Sequence, residues 1–208
     1  LAQGFSCIKL KIGAIDFEKE LGLLRFIRQN FDAKTIEIRV DANGAFNSNE
    51  ALSKLNQLNE FELHSIEQPI RANQIQEMKL LCQQTPFPIA LDEELIGVFG
   101  TENKRKLLEE IQPQYIILKP SLVGGFKGTL EWIAIAESLN IGWWITSALE
   151  SNIGLNAITQ FTFTLQNPLP QGLGTGGLYT NNFDCPLEIE KGRIAYNPNL
   201  VWNISNLV

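Results

Sequence analysis

Ile36-Glu37-Ile38-Arg39-Val40-Asp41-Ala42-Asn43-Gly44 is the stretch on which the fold of this 208-residue chain turns. A β-rich run with branched apolar residues at every second position stops at a carboxylate, and Asn-Gly follows as a turn signal. The same grammar recurs along the chain. Ser65-Ile66 ends at Glu67, Ile89-Ala90-Leu91 at Asp92, Tyr115-Ile116-Ile117-Leu118 at Lys119, and an earlier run ends at Lys11. The spacing predicts strands over 7–12, 36–40, 65–66, 89–91, 115–118 and 143–146, the last ending at Ser147, and a weaker seventh over 169–173. Amphipathic helices are predicted between them, near 16–29, 48–60, 74–82, 104–110, 126–139 and 153–164, with Asn47 or Ser48 and Ser151 as caps.

Strands joined by crossover helices form a parallel sheet. The polar strand ends lie roughly 25–30 residues apart, the length of one strand–helix unit in an eight-fold barrel. An open doubly wound sheet shares this rhythm, but six successive strands ending in polar residues favour a barrel rim. The expected fold is therefore α/β, a TIM-type (β/α) barrel occupying 1–208 as one domain. With about seven strands visible, one unit at the front is expected to be missing. An abrupt, strand-like start without Met or a charged leader suggests an excised piece of a longer protein.

Composition narrows the function. A net charge of −6 with scattered basic residues argues against nucleic acid or an anionic membrane as partner. The one short basic run, Lys104-Arg105-Lys106, reads as a solvated helix face. No apolar run approaches the roughly 20 residues that span a bilayer. Cys7, Cys82 and Cys185 are odd in number, lack metal-ligand spacing and sit among apolar neighbours, so reduced core thiols in a cytoplasmic protein are expected.

The strand ends carry the chemistry. Asp41, Glu67 and Asp92 on neighbouring strands would converge, and three such carboxylates repel one another unless a cation or raised pKa values relieve them. All-oxygen ligation suits Mg²⁺, with Mn²⁺ possible. Lys9 and Lys11 stand two apart and share one face of a strand. Lys9 beside Lys11 is expected to lower the latter's pKa and ready it as a base. A lone surface acid or an edge-strand Lys-x-Lys pair is commonplace; the ordered set is what gives these residues meaning.

The set Lys9-Leu10-Lys11, Asp41-Ala42-Asn43, Glu67-Gln68-Pro69, Asp92-Glu93 and Leu118-Lys119-Pro120 resembles the enolase superfamily, muconate-cycloisomerase-like subgroup, from Gly4 to Asn197. The resemblance implies an enolase-type C-terminal barrel whose N-terminal α+β capping domain is absent here. It implies Asp41, Glu67 and Asp92 as metal ligands, Lys11 as general base, Lys9 as its electrostatic neighbour at the substrate, and Lys119 on the opposite substrate face. Ser147-Ala148-Leu149-Glu150-Ser151 and Gly172-Leu173-Gly174-Thr175-Gly176 further imply that Ser147 touches the distal part of a small carboxylate substrate. The implied reaction is Mg²⁺-dependent α-proton abstraction and syn dehydration of a cyclohexadiene carboxylate to o-succinylbenzoate, a step of menaquinone biosynthesis. Racemisation or epimerisation of an acylated amino acid or dipeptide is the alternative, and a catalytically silent barrel fragment is a third reading. The chain by itself is expected to turn over little or not at all. An open barrel seam would expose strand edges that a homo-oligomer could cover.

Other marked residues read as structural: His64, the lone histidine; Trp143 and Trp144, one inside the barrel and one beneath helices; and Gly124-Gly125, a tight turn rather than a phosphate cradle.

Overall fold

The computed structural model describes residues 2–205. Six parallel strands alternate with helices in the order β1 (Cys7–Lys11), α1 (Phe17–Asn30), β2 (Glu37–Asp41), α2 (Ser48–Leu58), β3 (Ser65–Glu67), α3 (Ile75–Gln84), β4 (Ile89–Leu91), α4 (Thr101–Ile111), β5 (Tyr115–Leu118), α5 (Gly125–Ser138), β6 (Gly142–Ile145) and α6 (Asn152–Thr164). Strand order in the sheet follows chain order, β1 to β6. This is the parallel α/β architecture expected from the strand-end rhythm.

Local sequence explains the boundaries. The Asp16 carboxylate accepts the Lys19 N–H at the start of α1, and Glu18 and Glu20 sit in its first turn, where the helix dipole favours negative charge. At α2 the Glu50 carboxylate reaches back to the Asn47 N–H (3.4 Å). Along β2, Ile38 and Val40 are fully buried and alternate with Glu37, Arg39 and Asp41. The sheet therefore has an apolar face, packed by residues such as Leu24, Leu55 and Met78 of the helices, and a polar face.

The chain divides into two compact units. One comprises Ser6–Ile117 and Leu130–Trp143, hence β1 to β4 and the helices between them. The other comprises the chain up to Phe5, Leu118–Thr129, and everything from Trp144 onward.

Several expectations are corrected. The seventh strand shrinks to a single parallel bridge, Thr146 to Gly172. Pro168 and Pro170 lack N–H donors, and the Gln171 side-chain carbonyl takes the Ile145 N–H (2.7 Å) that a strand backbone would have taken. Further on, the chain forms an antiparallel hairpin, β7 (Leu187–Glu190) and β8 (Arg193–Tyr196), closed by Lys191 and Gly192, both at positive φ. Lys104 is not solvated. It is 2% exposed, paired with Glu131 (2.9 Å) and set over the Trp132 ring, because α4 turns this position toward the start of α5's buried stretch. Of the cysteines only Cys82 is buried; Cys7 and Cys185 are half-buried, and all three are free. Burial pushes the Cys7 and Cys82 thiols up to about 12. Trp143 and Trp144 are both buried, and Gly124 and Gly125 make the turn expected of them, at positive φ.

Candidate functional site

In the first unit, strand register assembles the polar face. Lys11 lies beside Asp41, and Asp41 beside Glu67; one layer below, Lys9, Arg39 and Ser65 stand in a row. Glu67 is level with Ala90, so Asp92 projects from just beyond the end of β4. Pairing thus brings the three acids of the sequence analysis to one end of adjacent strands. They are almost inaccessible, with exposures of 0% for Asp41 and 2% for Glu67 and Asp92.

Two ammonium groups sit on these acids. Lys9 Nζ lies 3.0 Å from Asp41 Oδ2 and 2.7 Å from Glu67 Oε2, bridging the pair. Lys11 Nζ lies 2.5 Å from Asp41 Oδ2 and donates to Asn43 Oδ1 at 2.6 Å. Lys9 therefore does not face Lys11 as a bare cation; its charge is matched by two carboxylates. The Asn43 side-chain amide in turn donates to Glu93 Oε1 (2.8 Å), linking Lys11 to the residue after Asp92. The turn following Lys11 is pinned from outside the site. Glu20 Oε1 accepts the N–H groups of Gly13 (2.7 Å), Ala14 (3.2 Å) and Ile15 (3.3 Å).

Electrostatics divide the acids. Burial pushes the Glu67 carboxyl up to about 8; Lys9 opposes this, while the charges of Asp41 and Asp92 add to it. Burial also acts on Asp41, but Lys9 and the hydrogen bond from Lys11 outweigh it and hold that carboxyl below its ordinary value. Lys9 is raised: burial disfavours its charge, yet Glu67 and Asp41 together prevail. Glu67 is thus a proton-holding acid between two neighbours of its own sign. Among the described residues no three His, Cys, Asp or Glu side chains are arranged as a ready metal cage. The acids instead turn oxygens toward Lys9 and Lys11. Buried all-oxygen donors carrying mutual repulsion nevertheless have the chemistry of a divalent hard-cation site.

The second unit holds the other two expected site residues. Lys119 follows β5 directly, and its carbonyl accepts the N–H groups of Leu122 (2.8 Å) and Val123 (3.1 Å) in a turn. Ser147 is buried just past β6; its hydroxyl bonds the Thr175 hydroxyl (2.7 Å) and accepts the Leu149 N–H (3.0 Å). Nearby in the chain, Ser121 donates to Glu150 Oε1 (2.6 Å), and Leu149 is held at φ +68. His64 sets its ring against Tyr115, 5.0 Å between centroids and tilted by 35°, and its Nδ1 bonds the Ser65 hydroxyl (3.0 Å).

Sequence reasoning passed over Gln68 and Glu94. Both are buried and joined by a side-chain hydrogen bond of 3.1 Å. An amide directly between a strand-end acid and a proline was the available signal.

The parallel α/β sheet sets two exposed lysines against buried carboxylates at adjacent strand ends, the rim at which barrel scaffolds carry their sites. The chain belongs to the enolase C-terminal domain-like family, whose model matches residues 1–199. It is 57% identical over 195 residues to an o-succinylbenzoate synthase of Desulfotalea psychrophila, covering 94% of this chain and 53% of that one. The crystal structure of MenC from the same organism superposes with a TM-score of 0.89 at 54% identity, over 93% of this chain and 53% of that one. An N-succinylamino acid racemase of Thermus thermophilus is 34% identical over 155 residues, 74% of this chain and 39% of that one. Muconate cycloisomerase from Pseudomonas fluorescens gives a TM-score of 0.86 at 27% identity, over 99% of this chain and 57% of that one. The chain spans about half the length of the first curated relatives it matches. Among the described residues no helix is long and apolar enough to cross a membrane.

Proposed function

We propose that this chain carries the proton-abstracting centre of an o-succinylbenzoate synthase, a carbon–oxygen lyase of menaquinone biosynthesis acting in the cytoplasm on a small cyclohexadiene carboxylate. The observation that carries the reading is the strand register that sets Lys11 beside Asp41 and Asp41 beside Glu67, together with the 57% identity to a synthase of that name. Asp41, Glu67 and Asp92 are the residues that would hold Mg²⁺, or Mn²⁺; the ion supplies positive charge that steadies the substrate carboxylate as its α-carbon loses a proton.

Everything else falls to side chains. Lys11, more exposed than Lys9 (61% against 36%), faces the open side of the cluster and, in its neutral form, takes the α-proton. The C–H electrons become the new double bond, the adjacent C–O bond breaks, and Lys11 returns its proton to the departing hydroxyl as water, on the same face. Lys9 keeps Asp41 and Glu67 at fixed separation and adds positive charge where the substrate carboxylate arrives. Asn43 holds the Lys11 ammonium between turns of proton transfer. The roles of Lys119, a cation toward the opposite face, and of Ser147, a contact to the succinyl end, rest on the motif resemblance.

Formation of o-succinylbenzoate, followed by ultraviolet absorbance with Mg²⁺ for the chain and for the complete gene product, tests the dehydratase reading. Product that disappears in Lys11→Ala supports it. A complete gene product that binds Mg²⁺ yet makes none overturns it. The similarity to the succinylamino acid racemase favours a second reading, in which Lys119 reprotonates the opposite face; racemisation of N-succinylamino acids in the same preparation would select it.

A further inference from the structure

We infer that Gln68 is a positioning residue that fixes Asp92 relative to Glu67, acting with Glu94 as a clamp across the ends of β3 and β4. Gln68 is completely buried, and it occupies the left-handed region at φ +39, which residues with a side chain adopt uncommonly. All of its hydrogen-bonding capacity is engaged. Its side-chain carbonyl accepts the N–H groups of Asp92 (3.2 Å) and Glu94 (3.3 Å), and its amide donates to the Ile70 carbonyl (3.0 Å) and to Glu94 Oε2 (3.1 Å). Glu94 is itself held, since its other oxygen accepts the Asn73 N–H (2.8 Å). The backbone of Gln68 extends the tie: its N–H donates to the Ala90 carbonyl (2.9 Å), and its own carbonyl accepts from the N–H of Gly44 (2.7 Å), the residue after the Asn43 that holds Lys11.

The geometry has a specific consequence. Register alone aligns Glu67 with Ala90, and pairing stops short of Asp92. Beyond that point the chain enters a tight turn over Glu93–Leu95, and the Gln68 carbonyl is what arrests the Asp92 backbone there. A side chain next in sequence to one acid thus sets the place of another. Residues that orient ligands from behind typically change metal affinity by roughly 10–100-fold when removed. This role rests on the proposed ligand set, and its test separates the two.

Three variants decide it: Gln68→Met, which fills the space without hydrogen bonds; the exchange Gln68→Glu with Glu94→Gln, which keeps the acceptor for the Asp92 and Glu94 N–H groups, reverses the bond between the two side chains and gives up only the bond to the Ile70 carbonyl; and Asp92→Asn. Mg²⁺ affinity is read by titration calorimetry, and amide hydrogen exchange at residues 92 and 94 is read without metal. Gln68→Met is expected to weaken Mg²⁺ about 10–100-fold and to expose both amides to exchange. The exchanged pair is expected to restore affinity to within about fivefold and to restore amide protection. Amides that stay protected in Gln68→Met overturn the clamp, as does a folded exchanged pair that binds no better than Gln68→Met. Should Gln68→Met not fold, the exchanged pair alone decides, by the same affinity and protection. Unchanged affinity in Asp92→Asn instead overturns the ligand reading, and the exchange data still judge the clamp.

Discussion

Replacing Glu67 by Gln should make the metal-free protein more stable while removing its capacity for Mg²⁺. In the unfolded chain this carboxyl releases its proton near 4.5; in the folded protein burial, Asp41 and Asp92 delay release to about 8. Between those values the folded state binds more protons than the unfolded one, so this group's contribution to stability is fully present below about 4.5 and is lost as pH rises through about 8. At pH 7 roughly 2.5 pKa units of that penalty are in force, or about 3 kcal/mol. Glu67 is 2% exposed, so solvent screening takes little from this figure. Glutamine keeps the shape and never ionises. It weakens the 2.7 Å contact with Lys9, whose exposed third limits that loss to about 1 kcal/mol. The net gain at pH 7 is about 2 kcal/mol, a rise in Tm of roughly 4–8 °C for a protein of this size. Urea unfolding of both proteins in EDTA, followed by tryptophan fluorescence from pH 5 to pH 8, measures it. The difference in stability should grow by about 3 kcal/mol across that range. A difference that stays flat, or a variant less stable at pH 7, refutes the reasoning.

Other outcomes follow from the same geometry. Lys11→Ala should abolish exchange of the substrate α-deuterium with solvent while leaving Mg²⁺ affinity, by calorimetry, within a few-fold; Asp41→Asn should remove Mg²⁺ binding itself. Gly192→Ala should lower stability by about 2 kcal/mol or more, because φ is +73 and the added carbon would meet the Gly4 carbonyl oxygen at 2.5 Å. Gly22→Ala, in α1 with open space around it, should instead raise stability by about 0.5–1 kcal/mol in the same denaturation assay. β1 ends the sheet, and if its outer edge draws a second copy, light scattering should report a dimer whose population falls when Cys7 is replaced by Pro, because the bonds of Ser6 and Ile12 to β2 leave the Cys7 N–H on the outer edge.

The strand ends were legible because each is marked twice, by alternation before it and by a charged residue at its close. Lys11, Asp41 and Glu67 were placed at neighbouring ends from sequence, and pairing puts them in register. What sequence could not supply was the partner of each charge. Lys9 read as a neighbour for Lys11, yet its Nζ lies against Asp41 and Glu67, a contact set by side-chain reach across two strands. Lys104 read as solvated because its neighbours in sequence are charged, while its neighbour in space is the Trp132 ring. Residues 169–173 looked strand-like by apolar content, but two prolines and the Gln171 side chain decided otherwise. Lys191-Gly192 between alternating runs was a readable hairpin signal that went unused.

The Lys9 bridge has a consequence for how the centre comes to exist. Because the Lys9 ammonium already lies against Asp41 and Glu67, and Glu67 holds a proton of its own, the cluster can fold without recruiting an ion from solution, unlike small metal domains whose folding waits on their metal. Loading then resembles ion exchange on a resin: a divalent cation must compete with a resident counter-ion and displace a proton from Glu67. Chelators should therefore empty such a centre without unravelling the scaffold, and the seat should be ready for the next ion as soon as one leaves.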